Sequence, residues 1–106
     1  MVRIWNLPVR LLDRQHLLGE HVETHIVVNA ILRGGGAWYN HPTTNRFKGN
    51  LGKLVYRHNQ QIREMKRIGY NHMSPLPIDI KPVKYSYSRS EYNKDYGVLK
   101  ERRGLL

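Results

Sequence analysis

Between Arg14 and Leu32 the chain reads RQHLLGEHVETHIVVNAIL, and this stretch limits the fold more than any other. Its residues are apolar on nearly all sides of a helix, the pattern of an element that others must cover. Asp13 precedes it as a candidate N-cap, and the glycines Gly34–Gly36 end it. One narrow face departs from the pattern. His16, Glu20 and Glu23 follow one another at spacings of four and three, which bring side chains together on a helix. Carboxylates on such a helix are costly unless they are paired or functional.

The other segments read as material packed around this helix. Ile4, Trp5 and Leu7 give the N-terminal arm enough apolar surface to be tied down, where most termini fray. Pro8 opens a turn through Val9–Leu12. A second amphipathic helix is expected over Leu51 to Ile68. Leu51, Leu54, Val55, Ile62 and Met65 lie on its apolar face, and Lys53, Arg57, Gln60, Glu64 and Arg67 on the other. Gly69 is its natural stop. Ala37 to Asn50 reads as a loop in which Trp38, Tyr39 and Phe47 interleave with Arg46 and Lys48; Phe47 is expected to cover the core. Three prolines make Asn71 to Pro82 an irregular connector. Ser88 and Glu91 form a capping box for a short third helix from Arg89 to about Arg102, with Gly97 weakening it. The expected fold is therefore a single all-α domain spanning residues 1–106, with about three helices, a central first helix and long irregular connections.

The net charge is +10, and it is unevenly placed. Residues 1–33 hold four basic and three acidic side chains, 34–70 hold seven and one, and 71–106 hold seven and four. An excess of this size points to a polyanionic partner, above all nucleic acid. The absence of cysteine excludes disulfides and thiolate metal sites. No apolar run is long enough to span a bilayer, and the opening MVRIWNLPVR lacks the pattern of a signal peptide. An intracellular, monomeric protein with no membrane partner is expected.

Several kinds of chemistry find little support. His21 and His25 have zinc-ligand spacing, but the string is HVETH rather than H-E-x-x-H and no third ligand is apparent, so no metal is expected. His58 falls in an apolar helix face and reads as a hydrogen-bonded core histidine rather than a ligand. No serine or cysteine triad and no phosphate loop is present. For Glu20 and Glu23 two readings stay open. Either they pair with arginines such as Arg3 or Arg14 and hold the helix in place, or one sits in a positively framed pocket as acid, base or electrostatic stabiliser.

The opening resembles the pyrimidine-dimer DNA glycosylases of the phage endonuclease V family. Arg3 and Ile4 in the arm, then Gln15, His16, Leu17, Glu20 and Glu23 on the helix, stand in that family's register from the N-terminus. The resemblance is specific over the first quarter of the chain, weaker through the middle and weakest in the tyrosine-rich tail. It implies excision of a damaged base followed by β-elimination at the abasic site, without a cofactor. The implied nucleophile is the α-amine of Val2 after removal of Met1, with Glu23 as the catalytic carboxylate. An α-amine ordinarily titrates at about 7.7–8.0, so much of it is neutral near physiological pH. Arg3, Gln15 and His16 would touch DNA or orient neighbours, and Glu20 would be a structural partner. Val2 stands where the phage enzyme has Thr, and Val22 and Ile26 stand where it has arginines that hold DNA.

Arg33, Arg46, Lys48, Lys53 and Arg57 are the further candidates for phosphate contacts on damaged double-stranded DNA. Two other functions stay in view. One is a non-catalytic basic nucleic-acid-binding protein. The other is a metal-dependent hydrolase built on His21, His25 and a carboxylate.

Overall fold

The computed structural model describes residues 3–71 and 74–102. Among these residues there is no strand. A 3-10 turn at Val9–Leu11 is followed by four α-helices: α1 (Arg14–Arg33), α2 (Pro42–Phe47), α3 (Leu51–Arg67) and α4 (Arg89–Arg102). The all-α class and the central place of α1 hold: α1 packs against both α2 and α3.

The helix ends follow local chemistry. Gly34 closes α1 in the left-handed region at φ 72°, and its N–H donates to the carbonyls of Ala30 and Ile31. At the start of α1 the expectation needs correction. Asp13 stands at the N-cap position, but its side chain makes no capping bond; its carboxylate instead pairs with His16. The capping box of α4 forms as expected: the Glu91 amide donates to Ser88 Oγ at 3.1 Å and the Ser88 amide to the Glu91 carboxylate at 2.9 Å.

Helix α2 lies within what the sequence suggested was a loop. Pro42 occupies its first turn, where a missing N–H costs nothing, and His41 Nδ1 accepts from the Thr43 amide at 3.1 Å. These two residues are the signal that turn-forming composition concealed. Phe47, the last residue of α2, is buried as expected.

Two apolar clusters make the core. Ile4, Val27, Val28, Phe47 and Leu54 form the first. Trp5, Leu7, Leu12, Leu17, Met65 and Leu99 form the second. Consecutive arm residues Ile4 and Trp5 enter different clusters, so the N-terminal arm is held between them rather than frayed.

Helix α1 is not apolar all round. Val22 and Leu32 are about half exposed, while its buried face carries Glu20, His21 and Thr24 followed by Val27, Val28 and Ala30. Opposite them, Arg57, His58 and Gln61 of α3 are buried as well. A polar seam thus runs between the two helices. Its centre is the Glu20 carboxylate, which accepts from Arg57 Nε at 2.5 Å, Arg57 Nη2 at 3.1 Å and Gln61 Nε2 at 2.9 Å. Arg57 Nη1 continues to the Leu7 carbonyl at 2.6 Å, and Gln61 to Thr24 Oγ1 at 2.9 Å. Arg57 was expected on the solvent face. At 100° per residue it lies about 60° from Leu54, within the buried stripe, and its residue type misled.

After α3 the chain crosses back over it as an extended strap. The Val83 amide donates to the Gly52 carbonyl at 2.9 Å. A Cβ at residue 52 would lie 2.9 Å from the Lys81 carbonyl oxygen and 2.7 Å from Val83 Cγ2, so glycine is what lets the strap approach. The strap carries Tyr85 to Phe47, with ring centroids 5.6 Å apart, and α4 then packs Leu99 into the second cluster.

Candidate active site

The arm reaches α1 through backbone chemistry. The Arg3 amide donates to Glu23 Oε2 at 2.8 Å. Two residues of α4 reinforce this. Asp95, itself buried, accepts from the Asn6 amide at 2.7 Å and pairs with the Arg3 guanidinium at 3.3 Å. Arg102 joins Arg3 at the Trp5 indole: the two guanidinium carbons lie 5.5 and 4.7 Å from its ring centre. His16 meets the same indole edge-on at 5.7 Å.

These groups surround a small cavity of about 160 Å³ lined by Arg3, Trp5, Gln15, His16, Gly19, Glu20, Glu23 and Arg102. Five residues singled out in the sequence, Arg3, Gln15, His16, Glu20 and Glu23, therefore meet in one place. Val2 lies outside the described residues. Trp5 and Arg102 were missed as site residues, since apolar content explained the first and the second stands far beyond Glu23 in the chain. Asp95 was missed for the same reason: nothing local distinguishes it from a solvated helical aspartate.

The electrostatics separate the two glutamates. Glu20 is fully engaged by Arg57 and Gln61 and is structural. Glu23 is half-buried, and burial raises its pKa above the ordinary 4.5. Glu20 adds to that rise, while the Arg3 amide and Arg102 oppose it. A carboxyl with a raised pKa exchanges protons more readily near neutrality than an ordinary glutamate does.

Arg3 also borders a second hollow of about 320 Å³, whose lining includes Asn6, His41, Arg46, Lys94 and Asp95. Arg46 is exposed and donates to Asn6 Oδ1 at 3.0 Å and to the Tyr85 hydroxyl. It shares this hollow with Arg3, and Lys94 joins it as a cation the sequence did not single out.

The remaining expected phosphate contacts are dispersed. Arg33 is exposed at the end of α1, where its Nε donates to the Gly35 carbonyl. Lys48 lies over the Tyr39 ring at 3.6 Å, and Lys53 is half-buried on α3. Arg57, expected to be a phosphate contact, is not one. It is 1% exposed, and its guanidinium is spent on Glu20 and the Leu7 carbonyl, so it cannot meet a phosphate.

On the other side of α1, His21, His25 and His58 cluster. His58 is the buried, hydrogen-bonded histidine expected, with Nε2 3.0 Å from the Ser74 carbonyl oxygen. Burial, followed by the neighbouring His58 and His25, pushes the His21 imidazole down to about 4 despite an opposing interaction with Gln61. No carboxylate among the described residues joins this group, so the set of His21, His25 and a carboxylate is not formed; the third member is His58.

No curated protein and no solved structure matches the chain. The sequence pattern of one protein family, described as pyrimidine dimer DNA glycosylase, matches residues 2–77. That span holds the arm, all of α1, α2 and α3, and every residue lining the 160 Å³ cavity except Arg102. With the family pattern covering most of its length, the chain belongs to the pyrimidine dimer DNA glycosylase family.

Proposed function

We propose that the protein excises pyrimidine dimers from ultraviolet-damaged DNA and then cuts the abasic strand, using the α-amine of Val2 as nucleophile and Glu23 as the carboxylate that manages protons and charge. The observation that carries this reading is the 2.8 Å hydrogen bond from the Arg3 amide to Glu23. It ties the residue bonded to Val2 to the carboxylate with the raised pKa.

The chemistry follows from these groups. The neutral amine attacks C1′ of the damaged nucleotide, and the glycosidic bond breaks with its electron pair leaving on the base. Negative charge at Glu23 stabilises the oxocarbenium-like character at C1′, as carboxylates do in glycoside cleavage. Loss of the amine proton and opening of the sugar ring give an imine between the α-nitrogen and C1′. Removal of a C2′ proton then expels the 3′ phosphate by β-elimination, with Glu23 as the proton acceptor. The target nucleotide must leave the stack for C1′ to be reached. Arg3, Arg46 and Lys94, bordering the second hollow, supply positive charge for the backbone on that side.

The test is borohydride trapping on a duplex with one cyclobutane thymine dimer, beside undamaged and abasic duplexes. Borohydride reduces the imine to a stable cross-link. An adduct on the dimer duplex, mapped to the Val2 nitrogen, is the expected result. Adducts on abasic DNA alone would reduce the activity to that of a lyase. No adduct on any duplex, from protein shown to lack Met1, would leave a binding protein.

A further inference from the structure

The histidine cluster on the far side of α1 takes no part in this chemistry. His21 and His25 stand on α1, each about 160° round the helix from Glu23. His58 comes from α3. The three rings lie 4.8, 5.0 and 5.4 Å apart, centre to centre. One nitrogen from each lies within 4.8 Å of the other two.

The hydrogen bonds determine what these nitrogens offer. Nε2 of His25 and Nε2 of His58 each lie 3.0 Å from the carbonyl oxygen of Ser74. A carbonyl oxygen can only accept, so both Nε2 atoms carry the proton. Each neutral ring then has its lone pair on Nδ1. His21 is 7% exposed, and neither of its ring nitrogens has a hydrogen-bond partner of normal geometry. The adjacent Gln61 amide nitrogen is committed to Glu20 and Thr24, while its Oε1 is free to accept. A small shift would let Gln61 take the single N–H of a neutral His21. It would leave the other His21 nitrogen, a lone pair, still unanswered. A lone pair of His21 thus lies buried and unanswered beside the rings of His25 and His58. A buried polar group left in that state calls for an explanation.

We propose that His21, His25 and His58 bind a divalent transition-metal ion, with zinc the fitting species, as a structural clasp between α1, α3 and the segment at Ser74. Three imidazoles suit zinc, cobalt or nickel and do not suit magnesium or calcium, which take oxygen ligands. Metal–nitrogen bonds of about 2.0–2.1 Å put tetrahedral ligand atoms about 3.4 Å apart. Ligand nitrogens within 4.8 Å of one another therefore have to close up around the ion, by rotation of the side chains. The Ser74 carbonyl supplies the outer support that metal-bound histidines ordinarily have, holding two of the three rings through their distal N–H. His25 is only half-buried, and a hollow bordered by His58, Ile62, Lys66, Ser74 and Pro75 opens beside it, so solvent can take the fourth position. The exposed Lys66 ammonium at that opening favours water or a small anion as the fourth ligand.

The test uses untagged full-length protein stripped with a chelator, then freed of the chelator. Cobalt is titrated with visible absorption as the readout, and zinc by competition with a colorimetric chelator. Uptake of one ion per chain is expected, with the absorption of a tetrahedral or five-coordinate cobalt site. Zinc should raise Tm by about 5 °C or more at saturating concentration. His25→Gln and His58→Gln keep a donor for the Ser74 carbonyl but remove a ligand. Each should lower zinc affinity at least tenfold while circular dichroism shows the helices intact. His41→Gln, away from the cluster, should bind as the parent does. Absence of uptake, or unchanged affinity in a folded His25→Gln protein, would overturn the site. These readouts are independent of DNA cleavage, so the clasp and the glycosylase reading stand or fall separately.

Discussion

The backbone amide of Arg3 donates to the carboxylate of Glu23 at 2.8 Å, across 20 residues of sequence. This bond fixes the entry of the chain against the one half-buried glutamate on α1 that the buried arginine does not claim. Glu23→Gln keeps an oxygen that can accept from Arg3, so the arm should stay in place. The charge and the proton-accepting site are lost. Strand cutting and borohydride trapping should fall by about 10²-fold or more, with dimer-duplex binding changed little. Full activity in the variant would demote Glu23 to an anchor.

The same carboxyl sets a pH dependence. Burial raises its pKa above 4.5, so the ionised form that the proposed mechanism uses disappears at a higher pH than for an ordinary glutamate. Activity should fall first as the α-amine protonates, at about 7.7–8.0 for an ordinary terminus, and kcat/KM for abasic-strand cleavage should then show a second acid limb, that of Glu23, above 4.5. A limb at or below that value would show that a group other than Glu23 controls it.

Asp95 is the anchor of the arm on α4. Asp95→Ala removes the acceptor of the Asn6 amide, which is buried, and the partner of Arg3. A loss of about 1–3 kcal/mol in denaturant unfolding is expected. Asp95→Asn keeps an acceptor and should cost less. If the α-amine is the nucleophile as proposed, cleavage should drop further in the Ala variant than in the Asn variant, because a loosened arm positions its end less well.

The Glu20–Arg57 pair lies wholly inside the protein. Arg57→Met leaves a buried carboxylate without its cation and should destabilise by about 3–5 kcal/mol. Glu20→Leu in the same chain should recover part of that loss. A double-mutant cycle with no coupling would contradict the pairing.

Gly52 tests the strap. Gly52→Ala places a methyl group against the Lys81 carbonyl, a backbone atom that cannot turn aside. Overpacking of this kind costs about 1–3 kcal/mol, more than the roughly 1 kcal/mol by which alanine improves a helix interior. Thermal unfolding should show a net loss of stability; a gain would mean that the strap lifts off freely.

The sequence by itself determined what depends on neighbours close along the chain. The spacing of His16, Glu20 and Glu23, the stop at Gly34, the Ser88–Glu91 capping box and the apolar arm all act within a few residues, and each appears where the pattern puts it. The tertiary structure decided which polar groups are inside. Arg57 and Lys53 are both cations of one helix, yet the first is sealed against Glu20, 37 residues away, and the second is half-exposed. Asp95 becomes the clamp of the arm only because α4 returns to it across 92 residues from Arg3. His58 becomes the third member of a histidine cluster only because α3 lies along α1. The reason is physical. A charged or hydrogen-bonding side chain can be buried wherever a partner meets its demand, and the partner's position depends on helix packing that no local pattern encodes.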